Sequence, residues 1–376
     1  MNAPASAKRA LRATSSAVVP VALAFAVVLG LLLLVGAPPF RSLGDIWSGA
    51  MGGTNQAGDT LMAWVPLTLA TSGFIVTYAA GLWNIGIEGQ IAMGGIAATW
   101  VGRTAPGDRP VLLTLMFLAG VLGGAAWALL AGLLKTKGGV NEIFGGLGLD
   151  FVASGLAVYL IIGPWKRKGI ASTSGTALLR DAATLPVLGH TRFSPVAAAL
   201  AVIGVTFVFL LLRGTRFGLR LKAVGRNPRS AFLMRVSPDR YMLAAFAVCG
   251  GLAGVAGTIQ VAGVWHKLVP SISGGYGFLA ILVALLAAFK PARVAPIAFF
   301  FAIALVGSAQ LTLLLNLNSA LGGVLQAVVV LFVILAGGWQ ARRAHRRPAP
   351  PGSGAPPELL LPAPPAPLEQ PVPVEG

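Results

Sequence analysis

Two carboxylates stand where a charge is costly. Glu88, within GLWNIGIEGQ (Gly81 to Gln90), is the only formally charged residue between Thr60 and Gly102, and Asp150 lies inside a second apolar run. Ionisable side chains in such settings face a cavity or a bundle interior and pair with each other or with backbone groups. Asn84 and Glu88 are four residues apart and share a helix face, with Gln90 close by. Two kinds of chemistry fit. These groups line a path and exchange hydrogen bonds with a polar solute, or they form a clamp in which Glu88 satisfies backbone groups where Gly81, Gly86 and Gly89 break a helix. The residues themselves leave both open. In KTKGGVNEIFGGLGLD (Lys135 to Asp150), Asn141 and Glu142 read as caps of the following helix, which leaves Asp150 as the pathway candidate there.

Other chemistry finds no support. There is no GxxxxGK[ST] phosphate loop, no GxSxG nucleophile elbow, and His190, His266 and His345 lack metal-ligand spacing, so no metal site is expected. SISGG (Ser271 to Gly275) resembles a fragment of an ATPase signature by chance alone. A conduit or transporter component is the default.

The elements that position these groups are membrane spans. Of 376 residues, 56% are hydrophobic and 10% charged, against about 25% charged in a soluble domain. A spanning helix needs about 20 mostly apolar residues. Ten stretches qualify, roughly 17–36, 61–80, 84–102, 110–134, 143–163, 195–212, 241–263, 274–290, 294–315 and 321–339, so an all-α fold of about 8–10 transmembrane helices is expected. The first, after a basic start, reads as an uncleaved helix. The net charge of +17 reflects topology, not nucleic acid. Alternating the sides puts 19 of the 28 Lys and Arg with both termini, which places both in the cytoplasm. The lone Cys249 excludes an intramolecular disulfide. Gly120, Gly124 and GGLAGVAG (Gly250 to Gly257) give small faces for close helix packing. The expected organisation is a cytoplasmic segment 1–16, a transmembrane domain 17–339, and a disordered Pro-rich tail 340–376, whose arginines rest on anionic lipid.

One cytoplasmic loop stands apart. RGTRFGLRLKAVGRNPRSAFLMRVSPDR (Arg213 to Arg240) carries eight cations and a single acid, Asp239. Phe217, Leu221 and Val224 form an apolar stripe on a short helix, which Gly225 and Pro228 are expected to end. Such a helix lies on lipid or docks in a groove of a partner. The glycine and proline punctuation favours a defined shape, hence docking.

These residues also carry a resemblance. GLWNIGIEGQIAMGG, GGVNEIFGGLGLDFVASG, TRFGLRLKAVGRNPRSA and SGGYGFLAILVALL, in this order over about residues 60–300, resemble the permease subunits of bacterial ABC importers for nucleosides and simple sugars, a class that includes branched-chain amino acid permeases. The NxGxEGQ, GVNE and GYGF motifs point to the nucleoside-type branch. The resemblance implies a multi-pass protein of the cytoplasmic membrane with no cofactor of its own. It also implies a separate ATPase subunit binding ATP and Mg, a second permease subunit, identical or related, and a periplasmic or lipoprotein substrate-binding protein. It implies that Gly218, Gly225, Asn227, Pro228 and Ala231 belong to a coupling helix, and that Asn84, Glu88, Gln90 and Asp150 belong to the signature near the path. Trp83, Trp265 and Phe278 are candidates for stacking on a base or sugar ring. The chain departs from the family where it reads Asp150–Phe151, FLMRVSPDR and LAILVALLAAFKP, which leaves the solute open. A branched-chain amino acid permease, and an ion-coupled secondary transporter with Glu88 or Asp150 carrying a proton, are the alternatives.

Overall fold

The computed structural model describes residue 30, residues 39–167, residue 169 and residues 173–314. The regular structure among the described residues is all helical, without strands. The helices are α1 (Pro39–Met51), α2 (Thr54–Ala79), α3 (Ile87–Thr104), α4 (Arg109–Thr136), α5 (Glu142–Ile162) and α6 (Pro195–Gly214). They continue with α7 (Arg216–Arg226), α8 (Pro228–Leu233), α9 (Pro238–Ile259), α10 (Tyr276–Leu286) and α11 (Val294–Leu314). Among the described residues, six stretches are long and apolar enough to cross a membrane: α2, α4, α5, α6, α9 with the π turn Gln260–Trp265, and Pro291–Ala309. The expected spans 17–36 and 321–339, the segment 1–16 and the tail lie outside the described residues.

Burial separates centre from rim. The apolar window of α2 is 89% buried, those of α4, α5 and α6 only 28%. α2, α3 and α9 therefore form the core, and α4 to α6 turn apolar side chains outward, as lipid requires. Glycine lets the core close. A Cβ on Gly254 of α9 would strike the Gly120 carbonyl of α4, and one on Gly257 would strike the Ile91 carbonyl of α3. Backbone therefore meets backbone where lipid-free van der Waals packing must replace the hydrophobic effect.

The stretch 274–290 is corrected. It was expected to span, but its helix α10 has 11 residues, about 16 Å, against a hydrocarbon core of about 30 Å. Gly274 (φ 60°) and Gly275 (φ 78°) turn the chain sharply before it, and Ala288 (φ 51°) and Phe289 (φ 56°) after it. The chain enters through the π turn at the end of α9, a feature common at functional sites, and irregular backbone at 266–275. That backbone is satisfied internally. Thr176 N–H donates to the Leu268 carbonyl at 2.9 Å, Leu179 to His266 at 2.8 Å and Leu185 to Ala262 at 2.9 Å. Non-helical backbone at membrane depth persists only with such partners.

The loop also differs from expectation. Gly225 and Pro228 do not simply end a helix: Gly225 lies within α7, and Pro228 opens α8 at its first turn, where its missing N–H costs nothing. The α5 start is as expected, with Asn141 Oδ1 accepting from Ile143 N–H at 2.9 Å and Glu142 paired with Lys135 at 2.7 Å.

Candidate functional site: a polar lock at the α3 start

The turn between α2 and α3 brings the signature residues together: Glu88 and Gly89 each reach another helix, and Gln90 ties back to Asn84, which reaches a third. Glu88, buried in the first turn of α3, accepts from the N–H groups of Gly275 (Oε1, 2.8 Å) and Gly277 (Oε2, 2.6 Å). Gly275 is the N-cap of α10 and Gly277 lies in its first turn, whose orphan N–H groups and dipole favour an anionic partner. Gly89 N–H donates to Asp150 Oδ1 of α5 at 2.8 Å. Gln90 and Asn84 exchange amide hydrogen bonds at 3.0 and 3.2 Å, and Asn84 Nδ2 also lies 3.2 Å from Cys249 Sγ on α9. All four polar side chains are buried.

Close backbone contacts fix this geometry. A Cβ on Gly277 would lie 2.6 Å from both the Glu88 nitrogen and Oε2, and one on Gly146 would lie 2.7 Å from the Gly86 nitrogen. One oxygen of Asp150, Oδ2, and the nearby Trp127 Nε1 have no hydrogen-bond partner among the described residues.

The loop meets the same turn. Thr215 Oγ1 caps α7 by accepting from Gly218 N–H at 3.0 Å, and Asn227 Oδ1 caps α8 by accepting from Ser230 N–H at 3.1 Å. Ala231 and Gly218 are buried. A Cβ on Gly225 would lie 2.9 Å from the Gly81 nitrogen and would strike the Ala79 carbonyl, so α7 rests directly on the chain entering the signature. Gly81 makes that turn with φ 78°. On the other side of the loop Phe232, Leu233 and Met234 are exposed, Leu233 at 83%.

Two cavities flank α10. One, of 700 Å³, is lined by Tyr276 at the α10 start together with Asp59, Arg192, Trp265 and His266. The other, of 740 Å³, lies past the α10 end, between Phe289, Trp83 and α7. Phe289 stacks on Tyr78 with centroids 3.4 Å apart. Trp83 and Trp265 thus line different cavities, and Phe278, 45% exposed, lines neither. Sequence reasoning did not find Gly275 and Gly277 as the donors to Glu88, although two glycines before an apolar run are a visible sign of exposed N–H groups. Cys249 and Phe289 carried no such sign.

A bundle of spanning helices with a half-length helix tied to its core by a buried carboxylate is an architecture found in membrane transport proteins. The chain belongs to the family described as "Branched-chain amino acid transport system / permease component", which matches residues 57–334. It is 36% identical to the glucose ABC transporter permease protein TsgB13 of Haloferax volcanii, over 75% of this chain and 77% of that one. It is 26% identical to the nucleoside ABC transporter permease protein NupB of Lactococcus lactis, over 80% and 85%, and 26% identical to NupC of the same organism, over 60% and 73%. It is an ABC permease of the nucleoside and sugar type and a multi-pass protein of the plasma membrane.

Proposed function

We propose that this chain is one of two membrane subunits enclosing the path of an ABC importer for a nucleoside or simple sugar, driven through residues 213–240 by a separate ATPase that binds ATP and Mg. The carrying observation is the seating of Gly225 on Ala79–Gly81, three residues before Asn84. A push on α7 is delivered to the turn from which Asn84, Glu88 and Gln90 hold α9 and α10. The exposed Phe232–Met234 face supplies an apolar anchor for a groove on the ATPase. Both termini and this loop face the cytoplasm. A periplasmic or lipoprotein binding protein delivers solute to the opposite end, where the 700 Å³ cavity combines aromatic faces with Asp59, Arg192 and His266. That mixture suits a polar ring better than a branched aliphatic chain, which favours nucleoside or sugar over branched-chain amino acid. Two nucleoside permease proteins from one organism, both similar to this chain, support a related second subunit. Both oxygens of Glu88 accept from backbone donors, which supports a clamp beside the path over a proton-carrying role for it.

The test is uptake into proteoliposomes holding both permease subunits, the ATPase and the binding protein. Guanosine or glucose should enter only with ATP and Mg. Uptake driven by a proton gradient without ATP, or uptake of leucine alone, would overturn the reading.

A further inference from the structure

The 740 Å³ cavity past α10 takes no part in the lock. Arg213, Lys222, Arg226 and Lys290 line it, and among the described residues no acidic side chain does. Its other walls are apolar or aromatic, including Phe209 and Trp83. Two of the cations are held in place. The Arg213 guanidinium lies 5.3 Å over the Phe209 ring. Lys222 Nζ donates to the Leu212 carbonyl at 2.6 Å, which leaves two of its three N–H groups for an incoming acceptor. Lys290 follows the left-handed pair Ala288–Phe289, and the stacking of Phe289 on Tyr78 fixes where it leaves the helix.

The rim of α6 extends the cavity. Val202, Phe209 and Arg213, spaced i, i+7, i+11, share one helix face, and Val202, Ile203 and Leu210 are exposed. An apolar stripe along a spanning helix that ends in a cluster of cations matches an acyl chain below a phosphate. We propose that this cavity binds the phosphate headgroup of an anionic phospholipid, with an acyl chain lying along α6. Nothing in this proposal requires the coupling reading, and it stands or falls separately. A small phosphate compound would use the same cations but gain nothing from the α6 stripe, so the two sources are separable.

The test uses the full chain with its accompanying subunits in nanodiscs of mixed phosphatidylglycerol and phosphatidylcholine, with retained lipid counted by native mass spectrometry. Phosphatidylglycerol should be retained with at least tenfold preference. Arg213→Gln with Lys290→Gln should lower retention by about tenfold or more, while Arg213→Lys with Lys290→Arg retains it, which separates a lost site from a lost fold. Arg229→Gln with Arg235→Gln, exposed cations outside the cavity, should change nothing. Equal retention of both lipids, equal loss from the Arg229 and Arg235 pair, or loss in the charge-retaining pair would overturn the proposal. So would competition by sn-glycerol 3-phosphate or inorganic phosphate, which would mark a soluble phosphate ligand instead.

Discussion

Glu88 and Gly277 stand 189 residues apart in the chain and share a 2.6 Å hydrogen bond, the glycine N–H donating to Oε2. With Gly275 N–H on Oε1, the carboxylate ties the first turn of α3 to the first turn of α10. The lock joins a core helix to a helix too short to span.

Glu88→Gln keeps one acceptor and turns an NH₂ group towards a backbone N–H. An unsatisfied buried donor costs about 1–3 kcal/mol. The purified variant should unfold at a lower temperature, and rate of uptake per folded molecule should fall further than abundance. Wild-type melting with wild-type uptake would remove the lock from both fold and transport.

The two donors should respond differently to a methyl group. Gly277→Ala places Cβ 2.6 Å from the Glu88 nitrogen and should abolish accumulation or uptake. At Gly275 a Cβ meets nothing within 4 Å, so Gly275→Ala costs only its left-handed backbone, about 1–2 kcal/mol. Expression and uptake of the pair give the comparison, and equal defects would contradict this geometry.

Gly225→Val with Asn227→Ala pushes α7 off Gly81 and removes the α8 cap. The complex should still reach the membrane and hydrolyse ATP, while solute uptake per ATP falls at least tenfold. Parallel hydrolysis and transport assays on one preparation decide it. Full transport would displace the loop from any coupling role.

Asp150→Asn preserves an acceptor for Gly89 N–H, so stability should change by less than about 1 kcal/mol, whereas Asp150→Leu removes it and should cost about 1–3 kcal/mol. ATP-driven uptake by a folded Asp150→Asn protein should stay near wild type. Loss of uptake with normal melting would instead put the charge of Asp150 on the path.

Phe232→Ser with Leu233→Ser removes the exposed apolar face of α8. Retention of the ATPase through affinity purification should drop about tenfold, in keeping with truncation of an interface anchor, and permease melting should hold. Undiminished retention would move the contact elsewhere on the loop.

Composition alone determined an all-helical membrane protein, because apolar runs of bilayer length with so few charges have no other stable solvent. The small-residue faces of α4 and α9, the cap at Asn141 and the amphipathic α7 were legible for the same reason: each depends on spacing along one helix. The length of α10 was not. Its sequence is as apolar as a span, and the left-handed corners that shorten it sit at Ala288 and Phe289, residues that give no local signal for that backbone. Nor did sequence choose between path and clamp for Glu88. The partners of Glu88 are backbone groups 187 and 189 residues away, and only the folding of α10 against α3 brought those N–H groups to the carboxylate.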